Sequence, residues 1–280
     1  MHALIRATLA GLIGLSAVAL WPTPAPAETD DERKKACANP DMLTRVMGKD
    51  LCLAIRTFGA DAAGPSPTLV VVLHGDMSSG GAPEYHMGIA KSLAREGIVG
   101  VGLIRPGYAG KDERASEGSP THYDHYTPEN IDAVADAVAK LKAHHKARAT
   151  VLIGHSGGAA TAGVIIGRHP GVADRALLIS CPCDIPRWRD MKRRSGWYSS
   201  LSPHDYAGKV PTIAKVIAIT GDHDDNTDVE LAKDYVAKLA SRGVVARFVA
   251  IPGAGHNHNK KMRDAAEYAA ALKDIVTGNF

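Results

Sequence analysis

Past its first 27 residues the chain lacks any apolar run approaching the ~20 residues that span a bilayer, so the remainder is not read as membrane-embedded. It also lacks an excess of either charge. Thirty-three basic against 30 acidic residues leave a net charge of +3, and bulk electrostatics therefore point to no nucleic-acid partner. Internal repeats and low-complexity linkers are absent after the N-terminal segment, which favours one large domain over an array of small ones within 280 residues. Cysteine is scarce, at four residues, and the pairs do not have the C-x₂₋₄-C spacing of a zinc site. No metal or other cofactor is expected. What the chain does have is a hydrophobic fraction of 45%, ample for a core and far from the composition of a disordered protein.

The N-terminus has the layout of a secretory signal peptide: Arg6 in a short basic start, the apolar "ATLAGLIGLSAVALW", then "PTPAPA". Ala25-Pro26-Ala27 fits the small-x-small cleavage rule. This predicts a signal over 1–27, a single mature domain over 28–280, a periplasmic or secreted location, and no stable membrane anchor once the signal is removed. In an oxidising compartment four cysteines allow three pairings. The favoured pair is Cys37 with Cys52, closing a loop worth roughly 3 kcal/mol in the chain-entropy model. Cys181 and Cys183 flank Pro182; a bond between them is expected to be strained, and the alternative, that both are free and buried, stays open.

From Thr68 onward strand and helix patterns alternate. "TLVVVLHG" is a continuous β-branched run suited to a strand buried on both faces. "EYHMGIAKSLAREG" has helical spacing with Gly97 as a stop, and "IVGVGLI" reads as the next strand. "TPENIDAVADAVAKLKAHH" is a helix with Thr127 as cap and Pro128 at its first position. The strands "TVLIG", "RALLIS", "KVIAITG" and "VARFVAIPG" follow, with helices "GGAATAGVIIGRHP", "DVELAKDYVAKLASRG" and "MRDAAEYAAALKDIV". This predicts an α/β fold with a doubly wound, mostly parallel sheet and flanking helices. Two stretches break the alternation: a long loop over 105–126 and a short lid-like insertion over 185–210. Both leave carboxyl ends of strands, where such sheets bind ligands. Within them, His122 and His125, among Tyr123 and Tyr126, read as a solvated loop, with lining of the substrate cleft as the functional alternative. The basic run Arg187, Arg189, Lys192, Arg193 and Arg194 reads as a solvated surface, with attraction of anionic substrates as its functional alternative.

"VLIGHSGGAA" places Ser156 in G-x-S-x-G, after a buried strand and at the start of a helix. The glycines permit a tight turn, and the helix N-terminus beyond Ser156 offers free N–H groups to a developing negative charge. A serine hydroxyl needs a base to take its proton, and the base needs an orienting carboxylate. His256 lies in a Gly-rich turn after the last strand. Asp222, Asp224 and Asp225 follow the preceding strand, so the chain order is Ser, Asp, His. His256 and His258 form an H-x-H pair, but no third metal ligand has matching spacing.

The pieces "LHGD", "GHSGGA", "LSPHDYAGKV", "ITGDHDDNT" and "IPGAGHNH", in that order, resemble an α/β-hydrolase, specifically the prolyl oligopeptidase and dienelactone hydrolase-like branches. The resemblance implies the α/β-hydrolase fold. It selects Asp224 as the acid, with Asp222 and Asp225 as turn formers. It places the oxyanion donors at the backbone N–H of Gly157 and of Asp76, with Met77 as second choice, and the carboxylate of Asp76 must then face away from the oxyanion. "RPGYAG", from Arg105 to Gly110, is similar to a loop beside the active site, and Arg105 is read as structural. The implied activity is that of a serine hydrolase acting on a small ester or short peptide substrate, a carboxylesterase more than a peptidase. Peptidases of this branch usually carry a large screening propeller for which this chain has no room. A small stand-alone peptidase and a non-catalytic binding protein of the same fold are the alternatives.

Overall fold

The structure is a computed structural model that describes residues 28–77, 83–112, 114–118, 124–258 and 260–280. The expected signal peptide, His122 and Tyr123 lie outside the described residues. The chain runs α1 (Asp30–Ala38), β1 (Arg45–Gly48), β2 (Leu51–Phe58), β3 (Thr68–Leu73), α2 (Tyr85–Leu93), β4 (Ile98–Leu103), α3 (Pro128–His144), β5 (Ala149–His155) and α4 (Gly157–Arg168). It continues through β6 (Arg175–Ile179), α5 (Ile185–Met191), α6 (Pro203–Tyr206), β7 (Lys215–Gly221), α7 (Val229–Ala240), β8 (Val245–Ile251), α8 (Lys260–Arg263) and α9 (Ala266–Thr277).

Eight strands form one sheet in the order β1-β2-β4-β3-β5-β6-β7-β8. From β4 to β8 every pairing is parallel, as alternating strands and helices require. The first two strands differ: β1 pairs with β2, and β2 with β4, in antiparallel fashion. Only Lys49 and Asp50 separate β1 from β2, a connection too short for a parallel crossover. The alternation expected from the sequence begins at Thr68 and does not include this hairpin. The single helix expected at the C-terminus is two, α8 and α9, and α2, expected to reach Gly97, ends at Leu93, where the chain returns through an Arg95–Ile98 bridge.

Both faces of the sheet are covered. Ile131, Val134 and Val138 of α3, Val164 and Ile165 of α4 and Leu231 and Leu239 of α7 pack on one face with Val71 and Leu152. Ile89 and Ala90 of α2 and Ala271 and Ile275 of α9 pack on the other with Val70, Val72, Val151 and Ile153. The central strands are apolar on both sides for this reason. Their carboxyl ends meet at one rim, and that rim gathers the loops after β3, β5, β7 and β8.

Cys37 and Cys52 are joined by a disulfide, with Cα atoms 5.7 Å apart, which fastens the end of α1 to β2. The structure decides between the two states left open for Cys181 and Cys183. They are buried, and they are bonded to each other, with Cα atoms 5.1 Å apart. This separation falls within the ordinary range for a disulfide.

Candidate active site

Ser156 sits between the end of β5, at the centre of the sheet, and the start of α4. Its backbone has φ 52° and ψ −117°, a conformation that a residue with a side chain adopts only under constraint. The constraint is visible. Its N–H donates to the Ile179 carbonyl at 2.8 Å, while its own carbonyl accepts from Ala159 and Ala160 at 2.9 and 3.0 Å. Any side chain at Gly158 would strike the carbonyls of Leu73 and His74, so β3 approaches the turn closely only because glycine is there.

The Ser156 hydroxyl is 3.0 Å from Nε2 of His256, which lies 100 residues further on. Nδ1 of the same ring is 3.0 Å from each carboxylate oxygen of Asp224. Of the three aspartates after β7, Asp222 and Asp225 are exposed and only Asp224 faces the imidazole. Its carboxylate is wholly buried and also accepts from the N–H groups of Asn226 and Thr227, at 3.0 and 2.8 Å, and from the Thr227 hydroxyl at 2.8 Å. Burial opposes its ionisation, but the bond and charge of His256 and the Thr227 donors outweigh burial, and its pKa lies below the usual 3.8.

Two residues that the sequence reading did not single out touch the imidazole. The Asn226 side-chain amide is 3.1 Å from Nε2, and the Thr227 hydroxyl is 3.2 Å from Nδ1. The spacing Asp-x-x-Thr was a usable signal for Thr227, since a threonine three residues on can bond back to the carboxylate. Nothing local marked Asn226.

On the other side of Ser156, Asp76 follows β3. Its carboxylate forms an ion pair with the buried Arg105, accepts from Tyr126 Oη at 2.6 Å and meets Tyr108 Oη at 3.3 Å. Burial again works against ionisation; the Arg105 charge and the Tyr126 bond prevail, and the pKa falls below 3.8. The Gly157 N–H, at the first position of α4, has no intrahelical acceptor. The expectation of a solvated loop around residues 125 and 126 is overturned, because His125 and Tyr126 are both buried. Tyr126 is held there by its bond to Asp76.

The insertion after β6 is fastened to these loops. Trp188 Nε1 donates to the Asn226 carbonyl at 2.8 Å. Tyr126 N–H donates to Ser200 Oγ at 3.0 Å, and Leu201 N–H to the Tyr126 carbonyl at 2.8 Å. The basic run is not uniformly solvated. Arg189 is buried over the Trp197 ring at 4.5 Å, Arg187 pairs with Asp234, and Lys192 reaches the Asp225 carbonyl. His258 does not join His256 at a metal; its Nε2 is 2.8 Å from Tyr268 Oη. Among the described residues no group of three or more His, Cys, Asp or Glu side chains is arranged to hold one.

The prolyl oligopeptidase family (Peptidase_S9) matches residues 86–274, two thirds of the chain. No curated protein sequence matches it. Among solved structures it is similar to the Pyrococcus furiosus esterase Pf2001, with TM-score 0.63 and 17% identity over 84% of this chain and 88% of that one. It is similar to Est1E from Butyrivibrio proteoclasticus, solved with ferulic acid bound, with TM-score 0.64 and 15% identity over 83% and 99%. It also resembles the Pyrococcus horikoshii acylaminoacyl peptidase, with TM-score 0.63 and 14% identity, covering 83% of this chain but 41% of that one. At such identities the likeness establishes the α/β-hydrolase fold.

Proposed function

The chain belongs to the prolyl oligopeptidase family, a serine hydrolase of the α/β-hydrolase fold, and on that premise we propose that it is a carboxylesterase working through an acyl-enzyme on Ser156. The observation that carries the reading is the unbroken run of hydrogen bonds from Ser156 through His256 to Asp224, each 3.0 Å long. His256 takes the hydroxyl proton as Ser156 attacks the ester carbonyl, and Asp224 holds the ring and steadies the imidazolium. The N–H groups of Gly157 and Asp76 receive the oxyanion; each such donor is worth about 3 kcal/mol in the transition state. His256 then protonates the leaving alcohol, and water repeats the sequence on the acyl-enzyme. The Asp76 carboxylate lies beside Gly157, and its charge is countered there by Arg105 and by the bond from Tyr126.

An ester is favoured over a peptide because the chain spans 88% and 99% of two esterases and less than half of the peptidase it resembles. Export to the periplasm or beyond belongs to the same proposal, supported by the two disulfides. A fluorophosphonate probe tests the chemistry: labelling of the wild type that disappears in Ser156→Ala supports it, and folded wild type that stays unlabelled argues for a binding protein instead. Turnover of nitrophenyl esters above aminoacyl anilides supports the esterase, and the reverse order makes the chain a peptidase.

A further inference from the structure

His155, the residue before the nucleophile, is buried and takes no part in the reaction outlined above. Its ring is nevertheless bonded at both nitrogens. Nδ1 lies 2.9 Å from Tyr85 Oη, and Nε2 lies 2.9 Å from the backbone carbonyl of His256. Tyr85 Oη in turn accepts the Gly75 N–H at 2.6 Å. The direction of every bond follows from the groups at the two ends. The Gly75 N–H can only donate, so the phenol oxygen accepts from it. The single phenol proton is then given to Nδ1, which must be bare. The ring proton therefore sits on Nε2 and is donated to the His256 carbonyl, which can only accept.

Three loops meet in this run: the one after β3 that carries Asp76, the turn that carries Ser156, and the one after β8 that carries His256. We propose that Tyr85 and His155 are positioning residues that set the His256 imidazole at proton-transfer distance from Ser156, by holding the backbone of the base to the turn of the nucleophile. The proposal rests on the serine-hydrolase reading given above. Burial keeps His155 neutral, with its pKa pushed down to about 3, and keeps the Tyr85 phenol protonated, with its pKa up to about 12. The Tyr85 ring is itself wedged in place, stacked on His258 with centroids 5.5 Å apart, while His258 is bonded to Tyr268. Gly75 packs so closely that a Cβ there would lie 3.0 Å from His155 Nδ1 and 3.1 Å from Ser156 Cβ, leaving the ring little freedom to turn.

Removing the phenol in Tyr85→Phe takes the donor from Nδ1. The ring proton is then free to move to Nδ1, which turns a bare Nε2 lone pair toward the His256 carbonyl and pushes the base away. Misplacing a catalytic group by a fraction of an ångström lowers turnover roughly 10- to 100-fold. The experiment is steady-state hydrolysis of a nitrophenyl ester, with enzyme concentration set by fluorophosphonate titration so that unfolded molecules do not count. Tyr85→Phe and His155→Leu are each expected to lower kcat by roughly that factor with KM changed less than about twofold, and the double variant to be no worse than the weaker single. In His155→Gln the amide oxygen can accept from Tyr85 and the amide nitrogen donate to His256, so kcat is expected within about fivefold of wild type. Unchanged kcat in Tyr85→Phe, additive losses in the double variant, or His155→Gln as poor as His155→Leu overturns the proposal. Should the variants fail to fold, nitrogen-15 NMR of the wild-type histidines decides: a proton on Nε2 of His155 supports the relay, and one on Nδ1 overturns it. Wild type that the probe never labels removes the hydrolase reading and the relay with it, whereas labelled wild type with an unaffected Tyr85→Phe removes the relay alone.

Discussion

Two carboxylates flank Ser156, Asp224 fully buried and Asp76 partly so, and their partners differ in kind. Asp224 faces an imidazole, which gains and loses a proton. Asp76 faces a guanidinium, which never does. Both are held ionised against the opposing effect of burial. The charge of Asp224 is therefore available to stabilise a cation that appears only during reaction. That of Asp76 is cancelled at all times by Arg105 and two phenols, so it does not oppose an oxyanion forming at its own N–H. The same residue type thus serves reaction on one side of the nucleophile and architecture on the other, and only the partner tells them apart.

The comparison is tested most severely by exchanging each acid for its amide. Asp224→Asn is expected to lower kcat about 10⁴-fold with little loss of stability, since the amide leaves the imidazole in the wrong tautomer. Esterase rates beside a denaturant melt check both halves of that statement. Asp76→Asn should do the opposite, leaving buried Arg105 without its counter-charge at a cost of about 3–5 kcal/mol in stability. Its kcat per titrated site should stay within about tenfold of wild type, because the backbone N–H is retained.

Acid sharpens the contrast further. A carboxylate with a lowered native pKa contributes stability that is complete above its unfolded value near 3.9 and is lost as pH falls from there through the native one, so both acids contribute fully above about pH 4. The buried histidines give way earlier. His74, His86, His155 and His258 all have native pKa values below 6.5, with His86 and His155 near 3 and His258 near 4. Below about 6.5 the unfolded chain binds protons that the native state refuses, and each such histidine removes up to about 1.4 kcal/mol of stability per pH unit. Denaturant midpoints should therefore begin to fall between pH 7 and 5.5, before either carboxylate titrates. A loss that starts only near pH 4 would show that the histidines are not kept neutral. The smallest effect is expected from Thr227→Val, which removes one donor from Asp224 and should lower kcat only several-fold, in line with about 1 kcal/mol for a single hydrogen bond.

The turn at Ser156 was legible because its signals are local: a β-branched run, glycines where a side chain would collide, then small helix formers. The order of acid and base could be read for the same reason, each lying in a loop after a strand. The assignment among Asp222, Asp224 and Asp225 came from a family resemblance, because periodicity cannot phase a turn of three aspartates. The hairpin of β1 and β2 escaped because the alternation of strands and helices was followed only from Thr68. The state of Cys181 and Cys183 stayed open because spacing alone does not show how the chain bends at Pro182.

By itself the sequence determined which segments are strands and helices, since the dihedral and burial preferences of residues act within a few positions. It also determined that a serine would stand on a sharp turn at a strand end. Who meets whom at that rim was decided by strand order. Placing β3 between β4 and β5 brings Arg105 to Asp76 and Tyr85 to His155. Those partners lie 29 and 70 positions apart, and no local preference reaches that far; such contacts form only when the whole sheet closes.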